Sequence, residues 1–199
     1  MKLRSRLGVG IAFVAALLIG AASPASAWCP PGDYIFESTD IVSVLDLPGD
    51  PTLACEELVF ETTLNAGTAN TGTVNDGYAE PCTSSNDANC DVVVTFQNLP
   101  WGISGTGDGT GSGTVVITGV DFNVEYQGSL CSLQGLSFDV VGDVCGDYAY
   151  PAGTLTISSC DLEVANSNAP LVVPDTTAVD ISGSATATTG PPKLEPVTP

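Results

Sequence analysis

Apolar and polar residues alternate one by one along several stretches of this chain, and this period of two constrains its fold more than any other feature. In residues 120–126 the even positions are apolar and the odd positions are polar. A half-buried β-strand has this repeat, because its successive side chains point to opposite faces. Beyond residue 27 no stretch shows the apolar spacing of three and four residues that is typical of an amphipathic helix. The chain is therefore predicted to be built from strands.

Short clusters of glycine, proline, asparagine, aspartate and serine separate the alternating stretches, as turns do between strands. They occupy residues 47–52, 65–77, 83–89, 104–113 and 148–153. Many short strands separated in this way predict an all-β fold, here a single disulfide-stabilised antiparallel sandwich or barrel. We assign the β-rich domain to residues 28–182 and expect residues 183–199 to form a flexible Pro/Thr-rich tail.

The first 27 residues have the composition of a signal peptide. Three basic residues are followed by an apolar run over residues 7–22, and residues 25–27 read Ala-Ser-Ala, a small-residue cleavage motif. The apolar run is shorter than the ~20 residues of a membrane-spanning helix. We therefore predict a secreted, extracellular protein that begins at Trp28 and has no membrane association after cleavage.

Acidic residues dominate the charge of the chain. It carries 23 of them against 4 basic residues, for a formal net charge of −19. The basic residues other than Lys193 lie in the predicted signal peptide. A surface this anionic repels nucleic acid and acidic lipid headgroups, and it attracts basic partners or divalent cations. We predict no nucleic-acid partner; the solubility of an exported protein is the alternative reason for such a charge.

The cysteines all follow the predicted signal peptide and indicate a disulfide framework. They are Cys29, Cys55, Cys82, Cys90, Cys131, Cys145 and Cys160. Because their number is odd, at least one thiol is free or bonded to a second chain, so a disulfide-linked dimer is one expectation. The spacing alone leaves the pairing open. The chain has no histidine and no Cys-x-x-Cys motif, so a zinc site is not predicted.

The lack of histidine also restricts catalysis, because neither a Ser-His-Asp nor a Cys-His constellation can be built. Lys193 is the one lysine of the secreted chain and lies in the predicted tail. A carboxylate pair that hydrolyses glycosides is a remote alternative, since acidic residues are abundant but Trp28 and Trp101 are the only indole platforms. We predict that the protein is not an enzyme and has no cofactor.

Residues 87–91 offer a candidate metal site. Asp87, Asn89 and Asp91 have the D-x-N-x-D spacing that begins an EF-hand calcium loop. The template then requires a glycine where Val92 stands and a later glutamate where Asn98 stands. We therefore favour a turn between two strands, in which the polar side chains bond to nearby backbone. Calcium binding stays the alternative.

Glycines alternate with other residues through positions 105–113, as if the run were a ligand-binding loop. The spacing of two matches neither G-x-G-x-x-G nor the P-loop, and the run contains no lysine. Its single acidic residue, Asp108, offers too few oxygens for calcium. Since two is the repeat of a strand, we predict an extended, flexible hairpin connection from Trp101 to Thr114, with Asp108 near its tip.

Trp101, in the sequence Leu-Pro-Trp-Gly, is a candidate ligand-binding residue. An exposed indole can stack on a sugar ring or on a basic group. Packing in the core or at its rim is the favoured interpretation, because tryptophans are highly buried on average. The exposure of the ring decides between the two.

Several short motifs follow one another in a distinctive order: Cys55, Cys82, Leu-Pro-Trp at 99–101, Cys131, Gly-Thr-Leu-Thr-Ile-Ser at 153–158, and Cys160. This layout resembles that of small exported actinobacterial proteins of unknown function. The resemblance implies a secreted β-domain with no known active site, and the disulfides Cys55–Cys82 and Cys131–Cys160. The remaining cysteines, Cys29, Cys90 and Cys145, depart from the layout, and Cys82–Cys90 is the main alternative pair.

Together these features predict a secreted, non-catalytic β-domain with a structural or interaction role at or outside the cell envelope. Cell-wall material or another protein is the expected partner. The alternative function is a calcium- or carbohydrate-binding module, built on residues 87–91 or on Trp101.

Overall fold

The computed structural model describes residues 28–66 and 69–195, and all regular structure in these ranges is β. The predicted signal peptide, residues 1–27, lies outside the described residues. Across the described ranges no helix is long and apolar enough to cross a membrane. The strands are β1 Gly32–Ser38, β2 Val42–Leu45, β3 Thr52–Cys55, β4 Leu58–Leu64, β5 Asn70–Ser84, β6 Asp91–Phe96, β7 Trp101–Gly107, β8 Gly113–Gln127, β9 Ser137–Ala149, β10 Thr154–Ala165 and β11 Val179–Ala187.

Eight strands close a hydrogen-bonded ring at one end of the molecule. Around this ring they follow the order β1, β4, β5, β7, β8, β9, β10 and β11, and β11 pairs back to β1. Every pairing is antiparallel. The predicted all-β, antiparallel, disulfide-stabilised fold is confirmed, and of its two variants the chain adopts the barrel.

A second ring closes the other end with a different set of short strands. The long strands β5, β8, β9, β10 and β11 run through both rings, whereas β2 and β3 take the place of β1 and β4, and β6 takes the place of β7. We name the end formed by β1, β4 and β7 the Trp28 end, and the end formed by β2, β3 and β6 the Asp87 end. Closure of both rings leaves none of the described strands as a free sheet edge.

A β-bulge lets β8 keep apolar side chains inside the barrel over its full length. Val115 and Ile117 are buried at odd positions, whereas Phe122 and Val124 are buried at even positions. The change falls between Ile117 and Val120, where β8 has one residue more than its partner β9. An extra residue reverses the faces of a strand, so the apolar interior continues past it.

The two ends of the described chain meet at the Trp28 end and cover it. Cys29 and Lys193 form an isolated antiparallel bridge, and the Leu194 N–H donates to the Gly111 carbonyl at 2.9 Å. Leu194 is fully buried and Trp28 is 3% exposed. The Trp28 ring meets Tyr148 edge-on, with 5.7 Å between ring centroids.

The glycine run makes room for this covering segment. Trp101 and Ile103 are buried on the inward face of β7, and Gly105 and Gly107 occupy the next two positions on that face. A Cβ built on Gly105 would lie 2.7 Å from Leu194 Cδ2, and one on Gly107 would collide with the backbone of Glu195. At Gly105 and Gly107 the spacing of two therefore corresponds to one strand face without side chains, on which the C-terminal segment packs.

Three expectations about chain segments need correction. Residues 65–77 are largely strand, because β5 begins at Asn70 and pairs with β4 and β7. The glycines up to Gly107 belong to β7, and the hairpin connection is only residues 108–112, with Asp108 accepting hydrogen bonds from Thr110. The predicted tail from residue 183 is wrong, since β11 continues to Ala187 and residues 191–195 pack on the barrel; residues 196–199 lie outside the described residues.

We expect Gly107→Ala to lower the free energy of unfolding by about 1–3 kcal/mol, the usual range for overpacking. The added methyl must displace the Glu195 backbone. Thr106→Ala, on the exposed face of the same strand, is the matched control and should have little effect. Denaturant unfolding measures both variants.

The same substitution in a chain that ends at Lys193 should cost much less, because the segment that it displaces is gone. This comparison is a double-mutant cycle between Gly107 and the covering segment. An equal cost in the full-length and shortened chains would contradict the assigned role of the glycine.

Candidate functional site

Disulfides join three pairs of neighbouring segments in the barrel. Cys55–Cys82 links β3 to β5, Cys145–Cys160 links β9 to β10, and Cys90–Cys131 links the segments before β6 and after β8. Cys55 and Cys82 are also register partners in the β3–β5 ladder, and their bond is the one that the resemblance implied.

The predicted pair Cys131–Cys160 is wrong, and so is the alternative Cys82–Cys90. Cys131 lies in a connection at the Asp87 end, beside the turn that holds Cys90. Cys160 lies within β10, next to β9, which carries Cys145. Which cysteines form a disulfide depends on which strands are adjacent in the barrel. The order of the cysteines in the sequence does not show which strands are adjacent.

Cys29 is the free cysteine of the described chain, and its residue is exposed. It lies at the Trp28 end, where its backbone pairs with that of Lys193. The odd cysteine is thereby identified. A disulfide-linked dimer through it stays a prediction.

The Asp87 carboxylate is bonded to backbone on both sides of the Cys90–Cys131 bond. One oxygen accepts the Asn89 N–H at 2.9 Å, and the other accepts the Ser132 N–H at 2.8 Å. These hydrogen bonds, that from Ser132 being the strongest, lower the pKa of Asp87 to about 2. Asp87 thus clamps the turn before β6 to the connection after β8.

The candidate calcium residues are close in sequence but differ in their surroundings. The Asn89 side chain donates to Asp87, and Asp91 is an exposed residue of β6 whose backbone pairs with β5 and β8. The sulfur atoms of Cys90 and Cys131 lie near Asp87, but they are bonded to each other, and a metal binds the thiolate form of cysteine. Calcium binding by Asp87, Asn89 and Asp91 stays a prediction.

Trp101 is a core residue, as the favoured interpretation predicted, and the alternative role of its ring as a ligand-binding platform is wrong. It is 2% exposed, and its ring stacks on Phe96 with 4.9 Å between centroids. Its indole N–H donates to the Gln97 carbonyl at 2.9 Å. No face of the ring is left for a sugar or a basic group in solution.

The barrel interior is filled. Two gaps inside it, of about 50 and 30 Å³, are lined almost wholly by apolar side chains such as Leu58, Phe122 and Val74. Pockets that hold small organic ligands are usually ~300–1,000 Å³. Neither gap has the size of a pocket for a small organic ligand, so we looked for a site on the outer surface of the described residues.

A groove on the outer wall, near the Asp87 end, is the candidate functional site. Its volume is about 520 Å³, and it lies between β5 and β6. We name it the Tyr78 groove. Its lining comprises Glu57, Tyr78, Ala79, Glu80, Pro81, Cys82, Asp91, Val92, Val93 and Val94.

A second β-bulge opens the groove. Ala79 pairs with Val94 and Cys82 with Val92, so β5 has one residue more than β6 between these two pairs. The extra length includes Pro81, which has no N–H to leave unpaired. The bulge bends β5 away from β6 and leaves a depression in an otherwise continuous wall.

Carboxylates surround the exposed tyrosine of the groove. The Tyr78 hydroxyl donates to a Glu57 carboxylate oxygen at 3.0 Å. This hydrogen bond, followed by desolvation and the charges of Glu57, Glu37 and Glu80, raises the pKa of the Tyr78 phenol. Sequence reasoning missed the site because Tyr78 follows a stretch that was assigned to a loop.

No protein-family model, curated protein or solved structure matches this chain. The class that the structure defines is a closed, antiparallel, disulfide-bonded β-barrel. The resemblance to small exported actinobacterial proteins stays an expectation.

Mass spectrometry of the non-reduced protein, alkylated before digestion, should recover the linked pairs Cys55–Cys82, Cys90–Cys131 and Cys145–Cys160, with Cys29 either alkylated or linked to Cys29 of a second chain. Strand neighbours dictate these pairs. Recovery of a Cys131–Cys160 peptide would contradict the barrel connectivity.

We expect Asp87→Asn to lower the melting temperature at neutral pH, because an amide replaces an acceptor that bonds two backbone N–H groups. The pKa of Asp87 is depressed in the folded state to about 2. Its stabilising contribution is therefore present above the ordinary aspartate pKa of ~4 and is lost as the pH falls through about 2.

The melting temperatures of wild type and Asp87→Asn should accordingly converge as the pH falls from about 4 towards 2. Asp91→Asn, a nearby exposed carboxylate, is the control and should shift the melting temperature little at any pH. A constant difference between wild type and Asp87→Asn across this pH range would show that the clamp does not depend on ionisation.

Proposed function

We propose that this chain is a secreted, non-catalytic β-barrel domain with an interaction or structural role at or outside the cell envelope. It acts through its outer surface. Its partner is cell-wall material or another protein.

The filled interior is the observation that carries this proposal. Barrels that transport small ligands enclose a cavity for them, whereas the gaps here are about 50 and 30 Å³. A ligand must therefore approach the outer wall or one of the two ends. The Trp28 end is covered by residues 191–195, which leaves the outer wall and the loops of the Asp87 end.

The disulfides support the proposed compartment. Three of them lie within the chain, and such bonds persist in oxidising environments outside the cytosol. The signal-peptide composition of residues 1–27 agrees with this compartment.

Association with envelope material tests the proposal directly. The full chain, expressed with its own leader and purified from the medium, should be cosedimented by isolated cell walls or envelope protein. Protein that has been reduced and unfolded is the matched control, because it keeps the charge and loses the barrel. N-terminal sequencing should begin at Trp28.

Two results would overturn the proposal. One is retention of the protein inside the cell with an intact leader. The other is turnover of envelope glycans or peptides by the folded protein at a rate above that of the unfolded control.

A further inference from the structure

We infer that the Tyr78 groove binds a basic polypeptide segment, rich in arginine or lysine, that places one aromatic or aliphatic side chain against Tyr78 and Val93. The inference rests on the proposed function, because it requires a barrel that acts through its outer wall. It adds a location and a chemical class of partner.

The groove is the apolar part of the outer strand surface. Tyr78 is 44% exposed and Val93 is 40% exposed. The other large apolar side chains that are exposed in the described residues lie in connections between strands: Leu130, Tyr150, Leu171 and Val172. Val59, the register partner of Tyr78 on β4, is buried, so the exposed apolar row consists of Tyr78 and Val93.

Carboxylates border this row at both of its ends and along its sides. Glu37 is paired with Val59 on one side, and Glu125 is paired with Val93 on the other. Glu57, Glu80 and Asp91 line the groove itself. The arrangement is an apolar strip within a negative rim, and its complement is an apolar side chain flanked by positive charges.

Nothing basic in the described chain neutralises this rim. Lys193 is the only lysine or arginine after residue 6. It lies at the Trp28 end, where its ammonium group is paired with Glu195 at 2.8 Å. The rim is therefore free to attract an external cation-bearing segment.

The same charge distribution decides against other occupants. A second copy of this chain brings the same acidic wall and no compensating basic patch. Nucleic acid and anionic lipid surfaces carry the same sign of charge as the rim. A bare metal ion would satisfy the carboxylates but would leave Tyr78 and Val93 without an apolar partner.

The groove is also held in shape before any partner arrives. The Cys55–Cys82 bond ties β5 to β3 beneath it. The Glu56 N–H donates to the Pro81 carbonyl and the Glu80 N–H donates to the Glu57 carbonyl, which joins the β3–β4 connection to β5. A rigid site loses less conformational entropy on binding. The Tyr78 ring, fixed through Glu57, offers a face for an arginine guanidinium or an aromatic ring.

Calorimetric titration with two synthetic peptides tests the apolar part of the inference. Both peptides carry the same number of arginines and lysines; one has a central tryptophan and the other a serine at that position. The secreted wild-type chain should bind the tryptophan peptide at least about tenfold more tightly, as expected when a buried anchor is lost.

The double variant Tyr78→Ser, Val93→Thr should bind the tryptophan peptide at least about tenfold more weakly than wild type does. The double variant Leu171→Ser, Val172→Thr removes two apolar side chains of greater exposure from a connection at the Asp87 end and should bind as wild type does. Circular dichroism and melting curves confirm that each variant is folded.

A second pair of variants tests the rim. Glu57→Gln with Glu80→Gln should weaken binding of the tryptophan peptide several-fold more than Asp161→Asn with Glu163→Gln, which removes the same charge from exposed positions on β10. Added salt should weaken binding to wild type, since exposed charges are screened.

Three results would overturn the inference. They are no binding of either peptide to wild type, equal binding of the two peptides, and equal losses in the groove variants and their controls, which would show attraction to the overall negative charge. Cosedimentation with envelope material by both wild type and the groove variants would leave the proposed function standing while removing the groove as its site.

Discussion

Closure of the strand ladders is the constraint on which the rest of this molecule depends. A barrel leaves its backbone hydrogen-bonding groups paired only if each strand has two neighbours along its whole length. The strands β5 and β8 are longer than any single short strand that could pair with them. The space between β5 and β8 is therefore occupied by β7 at one end and by β6 at the other. The inner face then buries the apolar half of every strand, and what the protein presents to other molecules is the polar half.

The alternating pattern was enough to predict this class of fold. Residues 120–126 alternate because β8 faces the core on one side and solvent on the other, and their burial follows the prediction. Periodicity carries no information about neighbours, however. It could not distinguish a barrel from a sandwich, because that choice depends on whether β1 meets β11, across about the whole length of the described chain.

The errors made from the sequence share this cause. The glycines at 105 and 107 were predicted to lie in a flexible connection because the residues that fill the space beside them, Leu194 and Glu195, are distant in the chain. Cys131 was paired with Cys160 through a resemblance of motif order, whereas its partner is set by two connections that meet at the Asp87 end. Asp87, by contrast, was assigned correctly to a turn, since its contact with Asn89 is local; its contact with Ser132 was not foreseeable.

The Tyr78 groove also depends on contacts between strands that are distant in the sequence. The extra residue of β5, opposite β6, interrupts the regular ladder next to Tyr78. The depression that results leaves one side of the Tyr78 ring open to solvent. The surrounding carboxylates belong to different strands, β1, β5, β6 and β8 among them, so no local run of charge marks the place in the sequence. A large net negative charge by itself serves solubility. This patch differs because its charges enclose exposed apolar surface. Exposed apolar surface does not contribute to solubility, so solubility does not explain the patch. A basic partner with an apolar anchor accounts for both the charges and the apolar surface of the groove, whereas solubility accounts only for the charges.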